Sequence, residues 1–144
     1  MKIFLDTSSL FKLYHQEADS EVIKQLFNDF SISGIFLSEI SKIEFASTVW
    51  KKVRTNELTE IDGSTTINLF NLDYSRYTFV QIDAIITEQA GNLITKYGKQ
   101  GLRTLDSIQL ATALSLKNHA SLFITSDKLL KDFFGKESLR CDIF

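Results

Sequence analysis

The chain has 144 residues, 44% of them hydrophobic and 24% charged, and carries a net charge of −2. That is the composition of an ordinary globular protein, long enough to bury a real core, and it argues against a basic coat that grips nucleic acid regardless of sequence. The single cysteine excludes an internal disulfide framework, and no stretch approaches the roughly 18 apolar residues of a membrane span.

MKIFLDTSS has five residues before its first acid, too few for the apolar core of a signal peptide. The expectation is therefore a cytoplasmic protein with one domain over residues 1–144. There is no proline, so Gly, Asn, Asp and Ser must punctuate the elements.

In chain order, KIFL at 2–5 reads as a short buried strand, and residues 8–15 return to helical spacing. Residues 19–31 predict a second helix through Val22, Ile23, Leu26, Phe27 and Phe30, capped by Asp19 or Ser20 and stopped by Gly34. IFLS at 35–38 predicts a second strand. Helices follow over 39–55, through Ile40, Ile43, Phe45, Val49 and Val53, and over 57–73, through Leu58, Ile61, Ile67 and Leu69. TFVQI at 78–82 is a weak strand and 83–97 a helix ended by Gly98. Thr104 opens a helix to about Asn118 that buries Leu105, Ile108, Leu110, Ala111 and Leu114. SLFIT at 121–125 is a strand, SDKLLKDFF a short helix, and LRCDI a last edge strand. Apolar strands alternating with helices predict an α/β fold with a mainly parallel sheet.

In such sheets ligands sit beyond the carboxyl ends of the strands. Two strands deliver an acid there: KIFL runs into Asp6, and LFITS into Asp127. Asp106 falls in the first turn of its helix, and Glu44 lies early in the helix after the second strand. Each aspartate also sits where an acid stabilises a helix start, by about 0.3–1 kcal/mol through the dipole and about 1 kcal/mol as a cap. Glutamates on helices are usually solvated. Yet Glu44 and Asp106 have apolar neighbours, and an unpaired carboxylate at a buried margin is costly. Four converging carboxylates repel one another unless protons or a cation compensate, and oxygen-only ligands suit Mg²⁺ or Mn²⁺.

Zinc is disfavoured, since Cys141, His15 and His119 show no ligand spacing, and each histidine suits a helix end. Gly98 and Gly101 match neither a P-loop nor a dinucleotide fingerprint. A phosphatase with an aspartyl nucleophile wants a second acid two residues after the first, where Ser8 stands. A phospho-acceptor receiver wants paired acids after the first strand, which are missing.

The set IFLDTSSL, the SxIxxxE-like helix start, LRTLDSIQLATAL and FITSDKLL, in this order and over nearly the whole chain, resembles the PIN domain. By pattern it is most similar to the small VapC-type toxins of bacterial toxin–antitoxin pairs. The resemblance implies a PIN-like three-layer sandwich with a four- or five-stranded, mainly parallel sheet. It also implies metal-dependent endoribonuclease activity. Its acidic site maps onto Asp6, Glu44, Asp106 and Asp127, with Ser8 and Thr125 in support and Glu39 a competitor for the glutamate position; Asp132 reads as surface. Asp6, Asp106 and Glu44 are expected to hold one Mg²⁺ or Mn²⁺, and Asp127 to guide a second ion or the water. In-line attack would leave a 5′-phosphate and a 3′-hydroxyl.

Lys51, Lys52, Arg54 and Arg103 are candidate RNA contacts, and Lys96, Lys99 and Lys128 lie near the acidic motifs in sequence. Tyr14 and Trp50 are aromatic enough to stack on a base. The helices at 39–55 and 57–73 offer a groove to a partner helix. A cognate antitoxin and a homodimer are implied by the resemblance. A nuclease of RNA processing and a non-catalytic RNA-binding or assembly domain remain the alternatives.

Overall fold

The structure is a computed structural model that describes residues 1–142. Four strands, β1 (Lys2–Leu5), β2 (Gly34–Ser38), β3 (Tyr77–Val80) and β4 (Leu122–Ile124), form one sheet in the order β3-β2-β1-β4. All three pairings are parallel. Seven α-helices connect or follow them: α1 (Thr7–Phe11), α2 (Ser20–Asp29), α3 (Ser41–Arg54), α4 (Glu60–Leu72), α5 (Ala84–Tyr97), α6 (Thr104–Ser115) and α7 (Lys128–Lys136).

Side chains alternate across a strand, so each central strand feeds two cores. On β1, Phe4 joins Leu93, Leu110, Phe133 and Phe134 beneath α5, α6 and α7. Ile3 and Leu5 face the other way, with Leu10, Phe11, Leu26, Phe45 and Phe70 beneath α1 to α4. Strand β4 repeats the division, Phe123 going to the first core and Leu122 and Ile124 to the second. This is the layered α/β arrangement expected from the sequence, with helices on both faces of the sheet.

Three details differ from the expectations. Helix α2 ends at Asp29, and Gly34 begins β2 rather than stopping the helix. Asp19 occupies the α2 N-cap without a side-chain bond, while Ser20 accepts from the Glu17 N–H. LRCDI does not extend the sheet: no strand is assigned over its described residues 139–142, although Arg140 O accepts from Phe123 N–H, and Ile143 lies outside the described residues.

Two helices also bury other faces than their spacing suggested. On α4 the buried positions are Gly63, Thr66 and Phe70, while Ile61 is 80% exposed. The cause is Gly63. A Cβ there would stand 2.8 Å from Val53 Cγ2 and 3.2 Å from Val49 Cγ1, so the missing side chain is what lets α4 lie close on α3. On α6 Leu105 is exposed, and Ser107, Gln109 and Thr112 are buried beside Leu110 and Ala111. Ile43 of α3 is likewise exposed. Among the described residues no helix is long and apolar enough to cross a membrane.

Candidate active site

The parallel register sets Leu5 of β1 beside Ile124 of β4. The next residues, Asp6 and Thr125, therefore emerge together at the carboxyl edge of the sheet. Asp6 is only 4% exposed. Thr125 Oγ1 donates to Asp6 Oδ2 at 2.7 Å and accepts from Asp127 N–H at 3.0 Å. Ser8 Oγ lies 2.9 and 2.8 Å from the two Asp6 carboxylate oxygens and accepts from Ser126 N–H at 3.0 Å. Asp6 also caps α1, accepting from Ser9 N–H, and Asp127 caps α7, accepting from Leu130 N–H. Capping and a role at the sheet edge are thus compatible for both acids.

Glu44 comes from the first turn of α3 and turns back over α1. Its Oε1 accepts from Thr7 Oγ1 at 2.9 Å and from Gln109 Nε2 at 2.8 Å. Gln109 also reaches Thr7 Oγ1 and Ser41 Oγ, so one amide ties α6 to α1 and α3. Asp106, in the first turn of α6, completes the set. Its helix is capped by Arg103 in extended conformation without a side-chain bond, and Thr104 is the first helical residue rather than the cap.

Electrostatics link the four acids. Burial pushes the Asp6 carboxyl above its ordinary value, against the pull of hydrogen bonds from Thr125, Ser9 and Ser8. Burial also raises Glu44; Gln109 and Thr7 oppose it, and the charges of Asp6 and Asp106 add to it. Asp106 is raised by burial and by Asp127 and Asp6, with Arg103 opposing. All four acids line one cleft of about 400 Å³, together with Thr7, Ser8, Phe11, Lys12, Glu17, Thr48, Lys52, Gln109 and Ser126. This is an open pocket with a surplus of negative charge.

Among the described residues no three His, Cys, Asp or Glu side chains gather closely enough to make a finished metal-ligand set. The donor chemistry nevertheless fits a hard cation. The donors are all oxygen, the neighbouring acids raise the proton affinity of Glu44 and Asp106, and a divalent ion would relieve the same repulsion. Two buried side-chain atoms of cleft-lining residues, Gln109 Oε1 and Ser126 Oγ, have no hydrogen-bond partner.

The PIN domain family matches residues 3–134. The chain belongs to the PIN domain family. Solved structures agree on the fold. Mycobacterium tuberculosis VapC20, described as a toxin that cleaves the sarcin–ricin loop, superposes with a TM-score of 0.69 at 15% identity, over 91% of this chain and 94% of that one. VapBC-1 of nontypeable Haemophilus influenzae gives 0.67 at 19% identity, over 99% and 97%. VapBC2 of Rickettsia felis, solved on a fragment of promoter DNA, gives 0.66 at 19% identity, over 99% and 98%. No curated protein sequence matches the chain significantly.

In this PIN domain the structure separates the two candidate glutamates. Glu39 pairs with Lys42 at 2.8 Å and meets Gln81, outside the cleft, whereas Glu44 lines it. Asp132 is exposed and also outside. Of the basic candidates only Lys52 lines the cleft; Lys51, Arg54 and Arg103 are exposed and outside it. Lys96 pairs with Glu137, and Lys128 borders a smaller neighbouring pocket beside Asp127. Tyr14 hydrogen-bonds Asp73 and Tyr77 and packs on Phe45 and Phe70, which makes it part of the core. His15 stacks near Phe11, and His119 is exposed.

Sequence reasoning missed Thr7, Gln109 and Lys12 in the cleft wall. Gln109 carried one usable signal: an amide at the spacing of a helix face that otherwise reads as apolar. Lys12 carried none beyond its place after an aspartate-led helix.

Proposed function

We propose that this PIN domain is an endoribonuclease dependent on Mg²⁺ or Mn²⁺, acting as the toxin of a toxin–antitoxin pair. The observation that carries the reading is the cleft lined by Asp6, Glu44, Asp106 and Asp127, where burial raises the proton affinity of the first three and the neighbouring acids raise that of Glu44 and Asp106 further. Membership of the PIN family supports it, as do structural neighbours described as toxins or toxin–antitoxin complexes.

Asp6, Glu44 and Asp106 would hold the cation, with Asp127 beside them. Bound there, it supplies charge neutralisation at the phosphodiester and an activated water. The chain's own residues do the positioning. Thr125, Ser8 and Ser9 fix the Asp6 carboxylate, and Thr7 with Gln109 fixes Glu44. Such fixed geometry is what in-line attack needs, and it leaves a 5′-phosphate and a 3′-hydroxyl.

A protein partner belongs to the same reading. Ile43 on α3 and Ile61, Leu69 and Leu72 on α4 are exposed apolar side chains, in keeping with burial against an antitoxin or a second copy. The neighbours solved as toxin–antitoxin complexes support an antitoxin as a partner.

The test is induced expression in bacterial cells of wild type and Asp106→Asn, with mapping of new 5′-phosphate ends across the transcriptome. New ends at defined sites, lost in the variant, are expected. Ends that persist in Asp106→Asn, or 2′,3′-cyclic phosphate products, would overturn the mechanism.

A further inference from the structure

We propose that Lys12 and Lys52 form a phosphate-binding track for single-stranded RNA beside the acidic centre, and that Glu17 and Glu57 act as counter-ions which RNA displaces. The identity of the bound polymer rests on the nuclease reading above; the track itself rests on the geometry that follows.

Glu44, Thr48 and Lys52 recur every fourth residue of α3, and all three line the cleft. At about 1.5 Å of rise per residue, Lys52 stands about 12 Å along the helix from Glu44. The α3 face therefore runs from acid to hydroxyl to ammonium within one groove. Phe11, Lys12 and Glu17 line the same cleft. The Lys52 ammonium lies 5.8 Å from the centre of the Phe11 ring, beside Lys12 in sequence. Both cations thus sit on the α1 and α3 side of the cleft.

Neither is an ordinary solvated lysine. The Lys12 side chain is 11% exposed and that of Lys52 20%. Lys12 is neutralised by Glu17 at 3.5 Å and more distantly by Asp19 at 4.0 Å, and Lys52 by Glu57 at 2.9 Å. The guarding acids are the more exposed partners in every pair. A lysine offers a compact charge that exchanges one oxygen ligand for another without a fixed fork geometry. A phosphate replacing the carboxylate meets an ammonium already largely stripped of water.

The surplus negative charge of the centre makes this arrangement useful. A polyanion approaching four carboxylates is repelled, and cations set back along the same groove supply the compensating attraction. An RNA strand reaches both regions at once, because its phosphates repeat along its path. An acidic peptide would meet the same lysines but would bring no phosphodiester to the acids.

The test is fluorescence anisotropy with a fluorescein-labelled single-stranded oligouridylate, titrated at several salt concentrations in calcium, a hard cation suited to oxygen donors. Lys12→Gln and Lys52→Gln are expected to weaken binding, each lowering the slope of log affinity against log salt by about 0.7. Glu17→Gln and Glu57→Gln are expected to tighten binding by roughly two- to fivefold, the range of a released surface ion pair. Lys117→Gln, beyond the far end of α6, should match wild type.

Unchanged slopes in both lysine variants would overturn the proposal. So would unchanged or weaker binding in both Glu17→Gln and Glu57→Gln, or no binding by wild type. Displacement of RNA preference by an oligoglutamate probe that alone binds through Lys12 and Lys52 would overturn it in favour of an acidic-peptide dock. If Lys12→Gln fails to fold, Lys52→Gln with Glu17→Gln and Glu57→Gln still decides. Cleavage assayed separately in magnesium distinguishes the two failures: cutting with unchanged slopes refutes the track alone, and the expected slopes without cutting refute the nuclease alone.

Discussion

Thr125→Val tests whether the site's hydroxyls hold charge in place or merely fill space. The variant keeps the shape of the side chain and removes one hydroxyl. That hydroxyl is buried and donates 2.7 Å to Asp6 Oδ2. A hydrogen bond to a charged group contributes about 1.5–3 kcal/mol. Asp127 N–H also loses its acceptor, but Asp127 is half-buried and water can take part of that role. The extra methyl returns about 0.8 kcal/mol. The net expectation is destabilisation by about 1–2 kcal/mol, or roughly 2–8 °C in Tm for a chain of this size. The cost must depend on pH. Thr125 pulls the Asp6 carboxyl down against burial, so the variant's Asp6 titrates higher still. The gap between wild type and variant therefore widens as pH rises through the Asp6 titration and narrows toward acid, where Asp6 is protonated in both. Urea unfolding at a series of pH values measures this, with Thr125→Ser retaining the pH dependence. A cost below about 0.5 kcal/mol that does not vary with pH would refute the reasoning.

Asp6, Glu44 and Asp106 all titrate above their ordinary values in the fold, so their contribution to stability is complete below the unfolded pKa and is lost as pH rises through the folded one. Metal-free protein should lose Tm as pH rises above the ordinary carboxylate values of 3.8 and 4.5, and scanning calorimetry should find the loss reduced in Asp106→Asn. Magnesium or manganese at a hundredfold excess over Kd should restore about 2.7 kcal/mol to wild type, and far less to Asp106→Asn. Gln109→Leu should weaken metal affinity or activity by about 10–100-fold while the fold persists, read by metal titration and kcat, because it removes one of two donors that orient Glu44. Gly63→Ala should destabilise by about 1 kcal/mol, overpacking against Val53 outweighing the helix propensity gained. Gly91→Ala, where a Cβ meets nothing within 4 Å, should stabilise by about 0.5–1 kcal/mol; equal effects at the two glycines in chemical denaturation would contradict the packing argument.

Much of this protein was legible in its sequence because the signals are local. A run such as KIFL can only be a short buried strand, and an aspartate ending it caps the next helix whatever else it does. Asp6, Asp106 and Asp127 could therefore be placed at one edge of a parallel sheet from element order alone, as the sheet β3-β2-β1-β4 has it. The resemblance already favours Glu44 over Glu39, which stands five residues earlier and ahead of α3; the fold adds that Glu44 lines the cleft while Glu39 pairs with Lys42 outside it.

What stayed hidden depends on residues far apart in the chain. Gln109 is a polar residue in a largely apolar helix, and its amide bonds Glu44 and Thr7, 65 and 102 residues away. The buried face of α4 follows from a glycine meeting Val49 and Val53 of another helix, which the spacing of Ile61 and Leu69 could not reveal. Lys12, at the end of α1, shares the cleft with Lys52 because α1 lies against α3, where the Lys52 ammonium stands 5.8 Å from the Phe11 ring. The sequence by itself determined which segments become strands and helices and where their acids lie, since periodicity and capping act within a few residues. The tertiary structure alone decided which side chains share the cleft, because packing, hydrogen bonding and charge act through space between segments whose order along the chain says nothing of their distance.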